Sequence, residues 1–149
     1  MTASLVFQLS NGWALLGWII LGAGIVFSRT TLRDEIAGKL WPIALSLLYF
    51  VLILFFFAKA QGGFDSLANV QRLFTHEWAA LAGWVHYLAF DLLIGAYSAR
   101  RLMEAGCSRW WLLLVLPLTF MFGPIGFLAA ELILLATRPI PPSTGRIAA

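Results

Sequence analysis

Asp91 is the residue whose type and position best suit chemistry. It lies near the middle of an apolar stretch, residues 77–99, that is long enough to cross a membrane. Inserting an aspartate at that depth costs roughly 2.5–3.5 kcal/mol, so such a residue normally faces the protein interior and has a partner. Loss of water favours the neutral carboxyl group, which could act as a general acid. The alternative is a carboxyl group that only hydrogen-bonds across helices.

His86 is a titratable residue inside the same stretch. An imidazole can accept or donate a proton near neutral pH, which suits a general base. The alternative is a neutral ring that bridges two helices. His86 and Asp91 are five positions apart, so on an ideal helix they project about 140° from one another. They could face one cavity from two sides or lie at two different helix interfaces.

Glu77, Trp84 and Asp91 recur every seven residues and therefore share one helical stripe. A stripe that carries two carboxyl groups is unsuited to face lipid, so Glu77 and Trp84 are candidate substrate-binding residues. For Trp84 the alternative is simple packing. For Glu77 the favoured alternative is an interaction of its charge with the helix macrodipole.

The sequence Phe-Gly-Pro-Ile-Gly-Phe at 122–127 combines a helix breaker with small residues. Pro124 has no amide proton for the carbonyl of Phe120, which predicts a kink. A new helix beginning near Pro124 would present free amides to an oxygen atom. Gly123 and Pro124 are therefore candidate binding residues. The alternative is a kink that only shapes the bundle.

The sequence does not indicate metal or cofactor chemistry. It has no glycine-rich phosphate loop, and its single cysteine, Cys107, excludes a cysteine-based metal cluster. His76, Glu77 and His86 do not converge by spacing. We therefore expect neither a metal nor a cofactor. The ten Lys and Arg residues are scattered, which argues against a nucleic-acid partner.

The chain that positions these residues is too apolar for a soluble domain. Of its 149 residues, 61% are hydrophobic and only 11% are charged, whereas soluble domains carry about 25% charged residues. The composition excludes a soluble globule, a disordered region and a secreted disulfide scaffold. A multi-pass helical membrane protein remains, with membrane lipid as its surrounding partner.

Four apolar stretches predict an all-α, polytopic bundle of four transmembrane helices: about 6–27, 40–58, 77–99 and 110–137. The first would be about 33 Å long, enough for a hydrocarbon core of about 30 Å. The fourth would reach about 42 Å, so it should tilt, kink or project. These stretches form one domain, residues 1–137, and the proline-rich tail 138–149 should be flexible.

The connections carry most of the charge. Residues 60–77 predict either a short amphipathic helix in the membrane interface or an irregular loop. The connections after the first and third stretches hold six basic residues, and the opposite side holds four, which favours both termini outside the cytoplasm. The six are Arg29, Arg33, Lys39, Arg100, Arg101 and Arg109, and the four are Lys59, Arg72, Arg138 and Arg146.

The chain resembles a small family of four-span membrane proteins. The resemblance lies in Trp84, His86, Asp91-Leu92 and Arg100, followed by Gly123-Pro124-x-Gly126. That family contains the plant abscisic-acid-deficient-four protein, and its members were long grouped as a domain of unknown function. The resemblance covers roughly residues 5–137. Because the chain shows no plant transit peptide, it looks like a bacterial-type member, which implies the bacterial inner membrane.

The resemblance also implies a function. The plant member is associated with making neoxanthin from violaxanthin, a carotenoid epoxide isomerisation, so a carotenoid or related isoprenoid is the implied ligand. A cofactor-free isomerase needs an acid at the epoxide oxygen, here Asp91, and a base for the neighbouring polyene proton, here His86. Trp84, Tyr87 and aromatic residues of the second and fourth stretches could hold the apolar ligand.

The rival hypothesis is a non-catalytic membrane protein for binding, transport or assembly. Its polar residues would be interhelical hydrogen-bond partners, and its small residues would mark a homo-oligomer interface. A proton-linked transporter is a third alternative, although four spans without a repeat leave little room for alternating access.

Overall fold

The structure, a computed structural model, describes residues 2–56 and 62–137. The expected all-α membrane bundle is confirmed. The end of the second apolar stretch and the tail 138–149 lie outside the described residues. In chain order the elements are α1 (Ala3–Val26), a π-helix (Thr31–Leu40), α2 (Trp41–Phe56), α3 (Leu67–Phe74), α4 (Glu77–Glu104), a 3-10 turn (Arg109–Trp111), α5 (Leu112–Met121) and α6 (Gly123–Thr137).

Three helical segments are long and apolar enough to cross a membrane: Ala3–Val26, Thr31–Phe56 and Glu77–Glu104. Of these, α4 is central, because it packs against α1, α2, α5 and α6. Small side chains such as Ala89 and Ala99 are buried along it and allow close helix packing. Large apolar side chains elsewhere, such as that of Leu135, remain exposed, as contact with lipid requires.

The fourth apolar stretch folds back on itself. The α5 and α6 helices have 10 and 15 residues, so at about 15 and 22 Å each is shorter than the hydrocarbon core. The thiol of Cys107, before α5, lies 3.3 Å from the hydroxyl of Thr137, at the end of α6. The two helices therefore form a hairpin that enters the bundle and returns to the same side.

The hairpin confirms the predicted break but changes the expected sidedness. The chain turns at Phe122, directly before Gly123 and Pro124. Four complete crossings would place the start of α1 and the end of α6 on one side. Three crossings and a hairpin place the start of α1 and the end of α6 on opposite sides of the membrane. The structure therefore does not support the expectation that the two ends share a side.

The polar connections are more helical than predicted. Residues 28–39 were expected to be a connection, but most of them form the π-helix, where Arg33 donates two 2.6 Å hydrogen bonds to Asp34. The α4 helix continues beyond residue 99, and Arg100 pairs with Glu104 at 3.8 Å. Ion pairs four residues apart, Glu35–Lys39 in the π-helix and Arg100–Glu104 in α4, favour a helix at the membrane surface, which hydropathy does not reveal.

Residues 60–77 include the amphipathic helix that was one of the two alternatives. The α3 helix begins after Ser66, whose hydroxyl accepts a hydrogen bond from the amide of Asn69. Leu73 is buried on its inner face, and α3 packs against α4. The helix therefore covers one end of the bundle.

Candidate functional site

Asp91 lies in the interior of the bundle, against the tip of the hairpin. Its side chain is buried, and the backbone amide of Gly123 donates a hydrogen bond to its carboxyl group. Gly123 is the first residue of α6, so this amide has no partner inside the helix. The sequence predicted a free amide here and an oxygen atom to accept from it, and Asp91 supplies that oxygen.

The hairpin tip requires glycine at two positions. A Cβ atom on Gly123 would collide with Oδ1 of Asp91. A Cβ atom on Gly126 would collide with the backbone and hydroxyl of Thr119, on the other arm of the hairpin. Pro124 takes an N-terminal position in α6, where its missing amide proton costs nothing. Glycine and proline therefore shape the turn that brings an amide to Asp91.

His86 lies on a different face of α4. Its ring stacks on Tyr49 of α2, with centroids 5.1 Å apart, and meets the ring of Phe90 edge to face at 4.6 Å. The residue is exposed, whereas Asp91 is buried. The structure therefore places His86 and Asp91 at two different helix interfaces and does not bring them together.

A cavity of about 250 Å³ lies beside His86, between α2, α3 and α4. We refer to it as the His86 pocket. Its walls are apolar and aromatic, and the phenol of Tyr49 and the imidazole of His86 are the polar groups among its lining side chains. The lining residues are Tyr49, Leu52, Ile53, Phe56, Phe64, Leu73, Phe74, Ala79, Ala82, Gly83 and His86.

Sequence reasoning missed Tyr49. The residue lies in the second apolar stretch, which is otherwise almost free of side chains that can donate a hydrogen bond. A hydroxyl-bearing aromatic residue in such a stretch is amphipathic and tends to lie where one end meets a polar group. That signal marks Tyr49 as unusual, but only the packing of α2 on α4 shows that it meets His86.

Glu77 and Trp84 line a separate, more open groove with Phe7 of α1. The indole nitrogen of Trp84 donates a 2.7 Å hydrogen bond to Asn11, and its ring lies 5.7 Å from that of Phe7. The predicted stripe is thus divided, because Glu77 and Trp84 face α1 whereas Asp91 reaches α6. Tyr87 is 52% exposed, on the outer surface of the described bundle.

Within residues 2–56 and 62–137, no three His, Cys, Asp or Glu side chains come close enough to hold a metal ion. What the described residues offer is an aromatic, apolar pocket with one imidazole, open to the surface of a membrane-spanning helix. This arrangement can bind a hydrophobic molecule and exchange a proton with it.

The fold and the pocket define a class: a helical membrane protein with a small apolar ligand site. Residues 5–129 match the ABA4-like family, described as ABA DEFICIENT 4-like, and the chain belongs to this family. The match confirms the resemblance seen in the sequence. The chain matches no curated protein and no solved structure.

Proposed function

We propose that this protein acts on a carotenoid or a related isoprenoid, and that a cyclic end group of the substrate enters the His86 pocket. The observation that carries the proposal is the pocket itself, which combines apolar and aromatic walls with a single imidazole. Such walls stabilise a hydrophobic ring, and the imidazole supplies a group that can transfer protons.

The size of the pocket favours one end of a long substrate. Pockets that enclose a drug-sized molecule measure about 300–1,000 Å³, whereas this cavity measures about 250 Å³. A carotenoid is too large to be enclosed, but one of its rings would fit. Phe50 and Phe90 are both more than half exposed on α2 and α4, and they offer an apolar surface for the polyene chain.

The reaction we propose is the isomerisation of an epoxide to an allenic alcohol. The C–O bond of the epoxide breaks as its oxygen gains a proton, and a C–H bond of the neighbouring polyene carbon breaks as that carbon loses one. One imidazole can serve both steps, because the protonated ring donates to the oxygen and the neutral ring then accepts from the carbon. No electron or proton is gained overall.

This proposal gives Asp91 a positioning role. The carboxyl group holds the first amide of α6 and so fixes the hairpin against α4, on the face of α4 that does not line the His86 pocket. Tyr49 stacks on the imidazole and orients it. Glu77 and Trp84 line the neighbouring groove, where they could contact the distal part of a long ligand.

We further propose that the end of α4 and the mouth of the hairpin face the cytoplasm, in a bacterial inner membrane. Arg109 donates a 2.9 Å hydrogen bond to Ser28, so the connections after α1 and α4 share one side. These connections carry six basic residues, whereas among the described residues the other side carries Arg72. The excess of basic residues is typical of the cytoplasmic side.

The test is expression in a host that accumulates an epoxide carotenoid such as violaxanthin, followed by pigment analysis. An active protein yields a new pigment of unchanged mass but altered absorbance. Ser46→Ala is the matched control for His86→Gln, because Ser46 is exposed on α2 and does not line the pocket. A pigment that co-purifies chemically unchanged would instead support a binding protein.

A further inference from the structure

A second cavity, of about 320 Å³, lies between the π-helix and the last turns of α4. We refer to it as the surface cleft. It lies on the side of the membrane where the hairpin opens, away from the His86 pocket. Its lining residues are Asp34, Glu35, Gly38, Lys39, Leu93, Ala96, Tyr97 and Arg100.

The charges of the surface cleft differ in how firmly they are held. Asp34 is bound by Arg33 through two 2.6 Å hydrogen bonds. In contrast, Lys39 and Glu35 are 3.5 Å apart, with side chains 68% and 66% exposed. Arg100 contacts Glu104 at 3.8 Å. Exposed pairs of this kind contribute little stability, so Lys39, Glu35 and Arg100 can exchange partners at small cost.

The cleft is also polarised along the membrane normal. Leu93 and Ala96 precede Arg100 on α4 and therefore lie deeper in the membrane. Tyr97 lies between the two zones, and the guanidinium of Arg100 is 5.9 Å from the centre of its ring. A molecule that fills the cleft would meet apolar side chains at its inner end and charges of both signs at its outer end.

We propose that the surface cleft binds a phospholipid with a phosphoethanolamine headgroup. Arg100 and Lys39 would contact the phosphate, and Glu35, with the remaining acceptor sites of Asp34, would contact the ammonium group. Two acidic and two basic side chains line the cleft, so its charge complements a zwitterion better than an anion. An acyl chain would continue over Ala96 and Leu93.

The test measures lipid binding to the full chain in detergent by native mass spectrometry. Phosphatidylethanolamine should bind about tenfold more tightly than phosphatidylcholine, because the choline group has no N–H donor for the carboxylates. Arg100→Ala should lower the affinity for both lipids about tenfold. If Arg100→Ala folds poorly, Lys39→Ala tests the same contact with the phosphate. Glu35→Gln should remove the preference for ethanolamine.

Arg72→Ala is the matched control, because Arg72 is an exposed arginine on α3, at the other end of the bundle. It should change neither affinity. Equal binding of the two lipids, tightest binding of phosphatidylglycerol, affinities unchanged in both Arg100→Ala and Lys39→Ala, or a preference that survives Glu35→Gln would overturn the proposal. Soluble glycerophosphoethanolamine that competes as well as the lipid would overturn the assignment to a lipid.

Discussion

The surroundings of Asp91 and of His86 differ, although both residues lie in the middle part of α4. Asp91 is 7% exposed and accepts a hydrogen bond from the amide of Gly123. His86 is exposed, its ring contacts are aromatic, and a cavity lies beside it. One polar group is enclosed by the bundle, and the other faces a space that a ligand can enter.

Placing a polar side chain within the membrane costs free energy, and Asp91 and His86 compensate for that cost in different ways. A buried carboxyl group without a partner is expensive, so the hairpin tip that pairs with it stabilises the fold. The apolar cavity beside His86 leaves room for a substrate, to which the imidazole can transfer a proton. The two residues are thus separable by experiment, since changes near Asp91 should alter stability and changes at His86 should alter activity.

The largest expected effect is on activity. His86→Gln should lower product formation at least about 100-fold, because general acid–base catalysis contributes roughly 10²–10⁴-fold. Its unfolding free energy should fall by no more than about 1.5 kcal/mol, the range expected for loss of the ring contacts with Tyr49 and Phe90. Pigment turnover and thermal unfolding of the purified protein measure the two quantities. Ser46→Ala should match the wild type in both, and full turnover by His86→Gln would refute the catalytic assignment.

The next effect is on stability. Gly123→Ala places a methyl group where Oδ1 of Asp91 lies, which strains the hairpin and breaks its contact with α4. We expect a loss of about 3 kcal/mol, the sum of overpacking and a lost hydrogen bond. The unfolding midpoint would fall by roughly 6–12 °C.

Gly22→Ala is the control for that experiment, because a Cβ atom at Gly22 has no heavy atom within 4 Å among the described residues. Its midpoint should stay close to that of the wild type or rise slightly, since alanine is the better helix former. Equal losses in the two variants would mean that the hairpin tip is not held as the structure shows.

A smaller effect is expected at Asp91 itself. Asp91→Asn keeps an oxygen that can accept from the amide of Gly123, so the loss should be about 1 kcal/mol, and pigment turnover should stay within a few-fold of wild type. Asp91→Leu removes the acceptor and should destabilise the protein more. Loss of turnover in a folded Asp91→Asn protein would return Asp91 to the catalytic role that the sequence first indicated.

The sequence was sufficient for the three long apolar helices, the break near Pro124 and the need of Asp91 for a partner. It could not distinguish a kink from a hairpin, because hydropathy is the same whether α6 continues outward or returns. The approach of Thr137 to Cys107 and the packing of α5 against α6 decide between them. Likewise the angle of about 140° between His86 and Asp91 was compatible with one shared cavity or with two helix interfaces, because the helices that they meet depend on long-range packing.

The smallest expected effect concerns the shape of the His86 pocket. A Cβ atom on Gly83 would lie 2.9 Å from Cε1 of Phe74, the far end of a side chain that can move. Gly83→Ala should therefore fold with a loss below about 1 kcal/mol but narrow the pocket. We expect the apparent KM for the pigment to rise about threefold. The maximal rate should not change, because the narrower pocket weakens binding of the substrate and of the transition state equally.

Gly12→Ala serves as the control, since a Cβ atom at Gly12 meets no described heavy atom within 4 Å, and Gly12 does not line the pocket. Its KM should equal that of the wild type. A KM unchanged in Gly83→Ala would show that the substrate ring does not occupy the space between α3 and α4. A lowered maximal rate would show that the space beside Gly83 contacts the substrate in the transition state. The reacting bond would then lie deeper in the His86 pocket than the imidazole ring.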